Sequence, residues 1–375
     1  LEQSKKNIFI ITGETSGDMH GAELIKSIKK KRDDITFSGI GGELLKSENV
    51  KLIHNFSEIN FIGFSSVIKN YAKIKSVLND TIEYIMRTNP DILILVDFPG
   101  FNLKIAESVR KNFKGKIIYY ISPQIWAWHK SRVKKMKHIL DKMLVIFPFE
   151  VDFYEKEGIK ADYVGHPLIN RIDNFLFGNN KIANDKIIIT ILPGTREEEI
   201  KRMYPVLANT ANRFSEKFNA GINVVYPSNT DLLKYQKGKL NNNFNLIPNT
   251  GSNIYKTLLN SNLVFTKFGT STLECAFLGT PFVTAYKANY LNYYIVKMLS
   301  NVKYVSLPNI LLNKRIVSEF LQGEMTVDNL YNEGNKIILD MEYRENMIKN
   351  LRLVKEIFIN TPVAKSAQDI IIEEL

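Results

Sequence analysis

Six short segments set carboxylates, hydroxyls or a guanidinium beside glycine or proline. That combination brings reactive side chains and bare backbone N–H groups up to a ligand. The first segment is Thr12-Gly13-Glu14-Thr15-Ser16-Gly17-Asp18. A helix beginning there would offer unsatisfied N–H groups to an anion. No Gly-Lys-Ser/Thr follows, so the segment is not a P-loop, and its glycine spacing is not that of a dinucleotide fingerprint. Glu14 and Asp18 are carboxylates in one glycine-bearing loop, with Ser16 and Gly17 between them. They suit acid–base work, and the competing reading is a tight turn with Asp18 as a helix cap. The second segment is Asp97-Phe98-Pro99-Gly100-Phe101-Asn102. Asp97 follows a run of apolar residues, and Phe98 and Phe101 beside it would desolvate the carboxylate and raise its pKa toward that of a usable base. Were Asp97 instead a helix cap, Asn102 would be the better-placed one.

The third segment, Ser122-Pro123-Gln124-Ile125-Trp126-Ala127-Trp128, holds both tryptophans and runs into residues 130–142, where six Lys or Arg meet one Asp. Aromatics beside a basic stretch suit base stacking, a membrane interface or plain core packing, and the sequence leaves all three open. The fourth, Pro193-Gly194-Thr195-Arg196-Glu197-Glu198-Glu199, has its acids where a helix dipole prefers them. Arg196 opposes that dipole, which makes sense if an anion lies between it and the helix start. The fifth, Lys267-Phe268-Gly269-Thr270-Ser271-Thr272-Leu273-Glu274, repeats the pattern. Gly269 and Thr270 can present N–H and hydroxyl groups to a diphosphate, and Glu274, about a helical turn on, can accept both hydroxyls of a ribose. The sixth, Ser306-Leu307-Pro308-Asn309, is by itself a polar turn before a helix.

These segments need a frame that collects them. Short apolar runs at residues 8–11, 36–40, 92–96, 117–121 and 143–147 alternate with helical patterns, as at 19–31 and 102–113. A second series occupies 187–192, 222–225, 263–266 and 282–285. Apolar strands alternating with helices predict doubly wound parallel sheets, whose ligands bind outside the carboxyl ends of the strands. The expected division is a first domain over 1–170, a polar Asn-rich linker over 171–185, a second domain over 186–345, and C-terminal helices over 346–375 that could pack back on the first domain. Two such domains would set their strand ends along one cleft.

Bulk composition narrows the function. At 375 residues with 45% hydrophobic content, the chain is long enough for two cores and too apolar to be disordered. No apolar run approaches the ~20 residues of a membrane span, and the four apolar residues after Lys5 and Lys6 are too few for a signal-peptide core. Leu1 is not a natural start, so a tag remnant or a few unseen upstream residues are expected. A single cysteine, Cys275, excludes an internal disulfide and a thiolate metal site, and no Asp-x-Asp offers close-spaced carboxylates to a metal. No metal and no cofactor are expected. The net charge of +11 suits nucleic acid, anionic lipid or a phosphorylated ligand.

Taken together and in order, these motifs resemble the lipid-A-disaccharide synthase family, with Pro148-Phe149-Glu150 and Gly165-His166-Pro167-Leu168 also in place. The pairing of Asp-Phe-Pro-Gly-Phe-Asn with Ser-Pro-Gln-x-Trp-Ala-Trp is the specific part, and the match spans nearly the whole chain. The resemblance implies an α/β GT-B fold of two Rossmann-like domains, with the nucleotide held mainly by the second. It implies an inverting, metal-independent transferase joining a UDP-diacylglucosamine donor to a diacylglucosamine 1-phosphate acceptor, at the cytoplasmic face of the inner membrane. Members can form homodimers with exchanged C-terminal segments. By motif, Asp97 matches the general base. Glu14, Ser16, Gly17 and Asp18 match the active-site loop of the first domain, and Gln124 a substrate-side loop position. Gly194, Thr195, Arg196, Gly269, Thr270, Glu274 and Asn309 match the nucleotide side. The chain departs from the family pattern at Thr195, where Ser is usual, and at Phe268, His129 and Asn170.

The competing readings are a GT-B sugar-nucleotide epimerase and a basic nucleic-acid-binding protein; the favoured reading has no nucleic-acid partner. Residues 65–79 read as an amphipathic helix with Val67, Ile68, Tyr71, Ile74 and Leu78 at helical spacing. The plain reading packs that stripe on a sheet, above all at Tyr71 and Leu78. The sharper one has Ile62, Phe64, Val67 and Ile68, with the lysines of the basic stretch, touching an anionic membrane surface.

Overall fold

The computed structural model describes the chain apart from residues 1–4, 61–69, 124, 129, 183–184, 229, 236–242, 250–252 and 290–302. It divides into two compact units, Leu1–Pro167 with Thr361–Leu375, and Leu168–Asn360. Each is built on one all-parallel sheet.

In unit 1 the strands are β1 (Lys6–Thr12), β2 (Ile35–Gly41), β3 (Lys51–Asn55), β4 (Ile92–Val96), β5 (Lys116–Tyr120), β6 (Lys142–Val145) and β7 (Ala161–Tyr163), in the order β3-β2-β1-β4-β5-β6-β7. Parallel strands need crossovers, and helices cover the faces. The five residues of β4 are all 0% exposed, as an unbroken Ile-Leu-Ile-Leu-Val run requires. The strand order reverses between β1 and β4, which pair from Ile8↔Ile92 to Thr12↔Val96. At that reversal the crossovers leave in opposite directions and open a crevice above the strand ends. The next residues are Gly13 and Asp97, so the first two motifs meet at this point.

Unit 2 repeats the plan with β8 (Ile188–Leu192), β9 (Gly221–Pro227), β10 (Phe244–Asn249), β11 (Leu263–Thr266), β12 (Phe282–Tyr286) and β13 (Glu319–Leu321), ordered β10-β9-β8-β11-β12-β13. Its reversal lies between β8 and β11, where Leu192 pairs with Thr266. The Pro193-Gly194-Thr195-Arg196 and Lys267-Phe268-Gly269-Thr270 loops leave from adjacent strands.

Three segments differ from the sequence expectation. Residues 171–176 belong to the helix Pro167–Leu176 rather than to a linker, because Leu168 and Ile172 give it a buried face. The helix Met341–Ile359 remains in unit 2, where Phe358 meets the Phe277 ring edge-on at 5.2 Å. Only the last stretch joins unit 1, through the helix Ala367–Glu373 against the helix Thr15–Lys29 and an ion pair between Lys31 and Asp369. The helix Tyr71–Thr88 buries Val77, Thr81 and Ile85 and half-buries Ile74 and Leu78, while Tyr71 is exposed. Tyr71 is therefore not part of the packed stripe. Ile62, Phe64, Val67 and Ile68 lie outside the described residues.

Candidate functional site

Unit 1 brings Glu14, Ser16 and Asp97 to the β1/β4 reversal. Glu14 precedes the helix Thr15–Lys29 and accepts a hydrogen bond from Ser16 Oγ at 2.8 Å. Asp97 is half-buried, and its carboxyl is pushed up to about 7. Burial is the largest cause, the Glu14 charge adds to it, and a hydrogen bond from the Phe98 backbone pulls back. The loops approach so closely that a Cβ on Gly13 would lie 2.0 Å from the Phe98 ring. Asp18 is engaged elsewhere. Its carboxylate, 3% exposed, accepts from the backbone N–H groups of Gly42 (2.7 Å), Leu44 (3.1 Å) and Leu45 (3.3 Å). It caps the short helix Glu43–Ser47, which fixes the loop after β2 and leaves its oxygens committed. Asn102 is not a cap: the helix runs Pro99–Val109 from Phe98, and Asn102 sits within it.

The Ser122–Trp128 segment is tied down from below by Glu150, which is 0% exposed. Glu150 accepts from Ser122 Oγ at 2.6 Å, Trp126 Nε1 at 3.1 Å and Phe147 N at 3.2 Å. Burial pushes its carboxyl up to about 7 against those three donors. Trp126 also meets Phe149 edge-on at 5.1 Å, so this tryptophan is half-buried packing rather than a free stacking platform. Gln124 and the Trp128 side chain lie outside the described residues. The helix Lys130–Ile139 buries Val133, Met136 and Ile139 and exposes Lys134, Lys135 and Lys137.

Unit 2 joins its two reversal loops through Glu199. Lys267 Nζ lies 3.0 and 2.8 Å from the two Glu199 oxygens, Thr195 N donates to Oε2 at 3.2 Å, and Arg196 lies 3.5 Å from Oε1. Gly194 (φ +125°) and Gly269 (φ +124°) adopt a backbone that L side chains rarely take. A Cβ on Gly194 would also press on Glu199 at 2.8 Å, whereas one on Gly269 would meet open space. Gly269 precedes the helix Thr270–Leu278, whose start has no side-chain cap, and Thr270 is exposed there. Those N–H groups and the Arg196 guanidinium make a setting for a phosphate. Glu274 is half-buried in the same helix; burial pushes its carboxyl up to about 7, and the Arg171 charge opposes this. The Phe268 ring packs on Tyr286 at 4.4 Å.

Asn309 is fully buried and saturated. Nδ2 donates to Val317 O and Glu319 Oε1, both at 2.9 Å, while Oδ1 accepts from Ile316 N at 2.8 Å and Val317 N at 3.1 Å. Glu319 also accepts from Ser306 N and Oγ. Asn309 thus fixes a turn in unit 2 and has no donor or acceptor to spare for a ligand.

Sequence reasoning gave no role to Lys267, Glu150, Ser122, Glu319 or Arg171, and took Glu199 only as one of the acids at a helix start. Glu199 and Lys267 stand inside motifs already singled out, and opposite charges on two loops were the available signal. Glu319 follows Asn309 by ten residues and Arg171 lies far along the chain from Glu274, and no local pattern marks either. Among the described residues, no group of His, Cys, Asp and Glu could hold a metal ion.

Solved structures share this architecture at low sequence identity. A UDP-GlcNAc 2-epimerase from Neisseria meningitidis, bound to UDP-GlcNAc, superposes with a TM-score of 0.62 at 12% identity, over 95% of this chain and 100% of that one. The glycotransferase of kitacinnamycin gives 0.59 at 13%, over 100% of both chains. These likenesses place the fold among GT-B proteins. Sequence likeness is more specific. Lipid-A-disaccharide synthase 1 of Legionella pneumophila subsp. pneumophila is 35% identical over 376 residues, covering 98% of this chain and 97% of that protein. The lipid-A-disaccharide synthase of Myxococcus xanthus is 31% identical over 382 residues, with the same coverage. The family model for lipid-A-disaccharide synthetase (LpxB) matches residues 8–371, and by that match the chain belongs to this family.

Proposed function

We propose that the chain is an inverting glycosyltransferase that joins a UDP-diacylglucosamine donor to a diacylglucosamine 1-phosphate acceptor, giving the β(1→6) lipid A disaccharide 1-phosphate and UDP. The observation that carries the chemistry is a half-buried Asp97 at the β1/β4 reversal, beside Glu14, with its carboxyl pushed up to about 7. Such a group takes a proton near neutral pH. Asp97 accepts the proton of the acceptor's primary hydroxyl as that oxygen bonds to the anomeric carbon of the donor. The bond to the diphosphate breaks on the opposite face, and its electron pair leaves with UDP. Arg196 and the N–H groups at the start of Thr270–Leu278 meet the developing charge, and Glu274 meets the ribose. Asp18 and Asn309 are positioning groups. Unit 1 supplies the acceptor side and unit 2 the nucleotide side.

Donor and acceptor each carry two fatty chains and stay in a bilayer, so the enzyme comes to them. We place the contact at Ile62, Phe64, Val67 and Ile68, on their sequence pattern, together with the exposed Lys134, Lys135 and Lys137. Each basic residue near an anionic surface adds ~1 kcal/mol, so a few give reversible, salt-sensitive binding.

UDP release tests the reading. It should require both lipid substrates and should survive EDTA, because the charge on the diphosphate is met by Arg196 and backbone groups. Conversion of a UDP-sugar without acceptor would favour the epimerase chemistry named for several structural neighbours.

A further inference from the structure

Asp97 and Phe98 both lie in the left-handed region, at φ +44° and +47°, and neither is glycine. Consecutive residues of that kind persist only where surrounding contacts over-determine them. Two buried donors converge on one carbonyl here. Tyr119 Oη donates to the Asp97 main-chain oxygen at 2.5 Å, and Asn102 Nδ2 donates to the same oxygen at 2.7 Å and to Val96 O at 3.2 Å. Both side chains are 0% exposed. The two lone pairs of the Asp97 carbonyl are thereby filled.

Asn102 is held in a way that packing alone does not explain. Its Oδ1 is buried with no hydrogen-bond partner among the described residues, a cost that a leucine of similar size would avoid. The amide is justified by its N–H groups, which reach back over one helical turn to the carbonyls of Val96 and Asp97. Tyr119 approaches the same point from the neighbouring strand β5, whose register pairs it with Leu95.

We propose that Asn102 and Tyr119 are positioning residues for the Asp97 carboxylate: by clamping the Asp97 carbonyl they hold the left-handed turn that sets the side chain near Glu14. The proposal rests on the reading of Asp97 as the base. Small losses of alignment at a reacting group lower turnover steeply without changing what binds, up to ~10²-fold for a 1 Å displacement.

The test compares Tyr119→Phe, Asn102→Leu and Asp97→Asn in steady-state transfer assays across pH, with UDP affinity measured by calorimetry. Tyr119→Phe deletes one oxygen and keeps the ring, so it remains informative if Asn102→Leu does not fold. The expected result is a kcat ~10-fold lower in Tyr119→Phe, with KM and UDP affinity within about twofold of wild type. The acidic limb of its pH profile should move to lower pH, because a loosened carboxylate gains water. A Tyr119→Phe enzyme with wild-type kcat and an unmoved limb, beside an inactive Asp97→Asn, would overturn the proposal. So would a fall in kcat that leaves the limb unmoved. An active Asp97→Asn enzyme would instead overturn the reading of Asp97 as the base, and the inference with it.

Discussion

At the scale of single residues, Asp18 and Asp97, both near the ends of neighbouring strands β1 and β4, have opposite surroundings. Asp18 faces three backbone N–H groups, and Asp97 faces buried surface and the charge of Glu14. The setting of Asp97 was legible, because the flanking phenylalanines announce a dry environment. That of Asp18 was not, because its partners begin at Gly42, far along the chain and reachable only through the β1–β2 pairing. Asp97→Asn should lower kcat by ~10²–10⁴-fold while UDP affinity, measured by calorimetry, stays unchanged. Stability should move the other way. The folded Asp97 pKa is raised to about 7, so the native state holds this proton more tightly than the unfolded chain does. Its contribution is greatest at low pH and is lost as pH rises through about 7. Asp97→Asn should therefore raise thermal stability at pH 8 by ~1–2 kcal/mol, discounted because the side chain is not fully buried, and give no gain near pH 4. Gly13→Ala should abolish turnover, since the added methyl must displace the Phe98 ring, and should leave UDP binding by unit 2 intact. Both variants are read by denaturation curves and calorimetry.

At the scale of elements, the strands that the sequence pattern predicts are the interior ones, and the four that it misses, β3, β7, β10 and β13, are the edges of the two sheets. Interior parallel strands are buried on both faces and read as unbroken apolar runs, as in Ile-Leu-Ile-Leu-Val of β4. Edge strands are half in water: β3 reads Lys-Leu-Ile-His-Asn and β10 Phe-Asn-Leu-Ile-Pro-Asn, so no apolar run marks them. The candidate loops that start at Gly13, Asp97, Ser122, Pro193 and Lys267 follow interior strands, which is why they were found although the sheets were only partly traced. The helix starts in unit 2 are organised by the Glu199–Lys267 pair, whose side chains are 9% and 19% exposed. Lys267→Met should cost up to ~3–5 kcal/mol by leaving a buried carboxylate poorly compensated, softened by Arg196 at 3.5 Å. Lys267→Met combined with Glu199→Met should recover much of that loss, and thermal melts of the single and double variants decide it. Arg196→Ala and Glu274→Ala should each weaken UDP binding by ~1.5–3 kcal/mol; unchanged affinity in both would place the nucleotide elsewhere.

At the scale of the whole molecule, the sequence suggested a boundary by composition, whereas the chain divides by packing: Leu168 and Ile172 draw the polar residues around 171–176 into a helix, and the last residues return to unit 1 after Asn360. The sequence suggested such a return but not where it begins, because contacts between the two ends of a chain leave no local pattern. Membrane attachment also belongs to this scale. The protein should pellet with anionic vesicles at low salt and be released at high salt, and replacing Ile62, Phe64, Val67 and Ile68 by Ser should abolish pelleting without changing UDP affinity. Unfolding of that variant would show these side chains to be core. Incubation of the protein with both lipid substrates in detergent micelles, followed by mass spectrometry, should yield one disaccharide 1-phosphate and one UDP per turnover with wild type, and both ~10²–10⁴-fold more slowly with Asp97→Asn. A wild-type protein that makes no disaccharide, or an Asp97→Asn variant that makes it at the wild-type rate, would contradict the account.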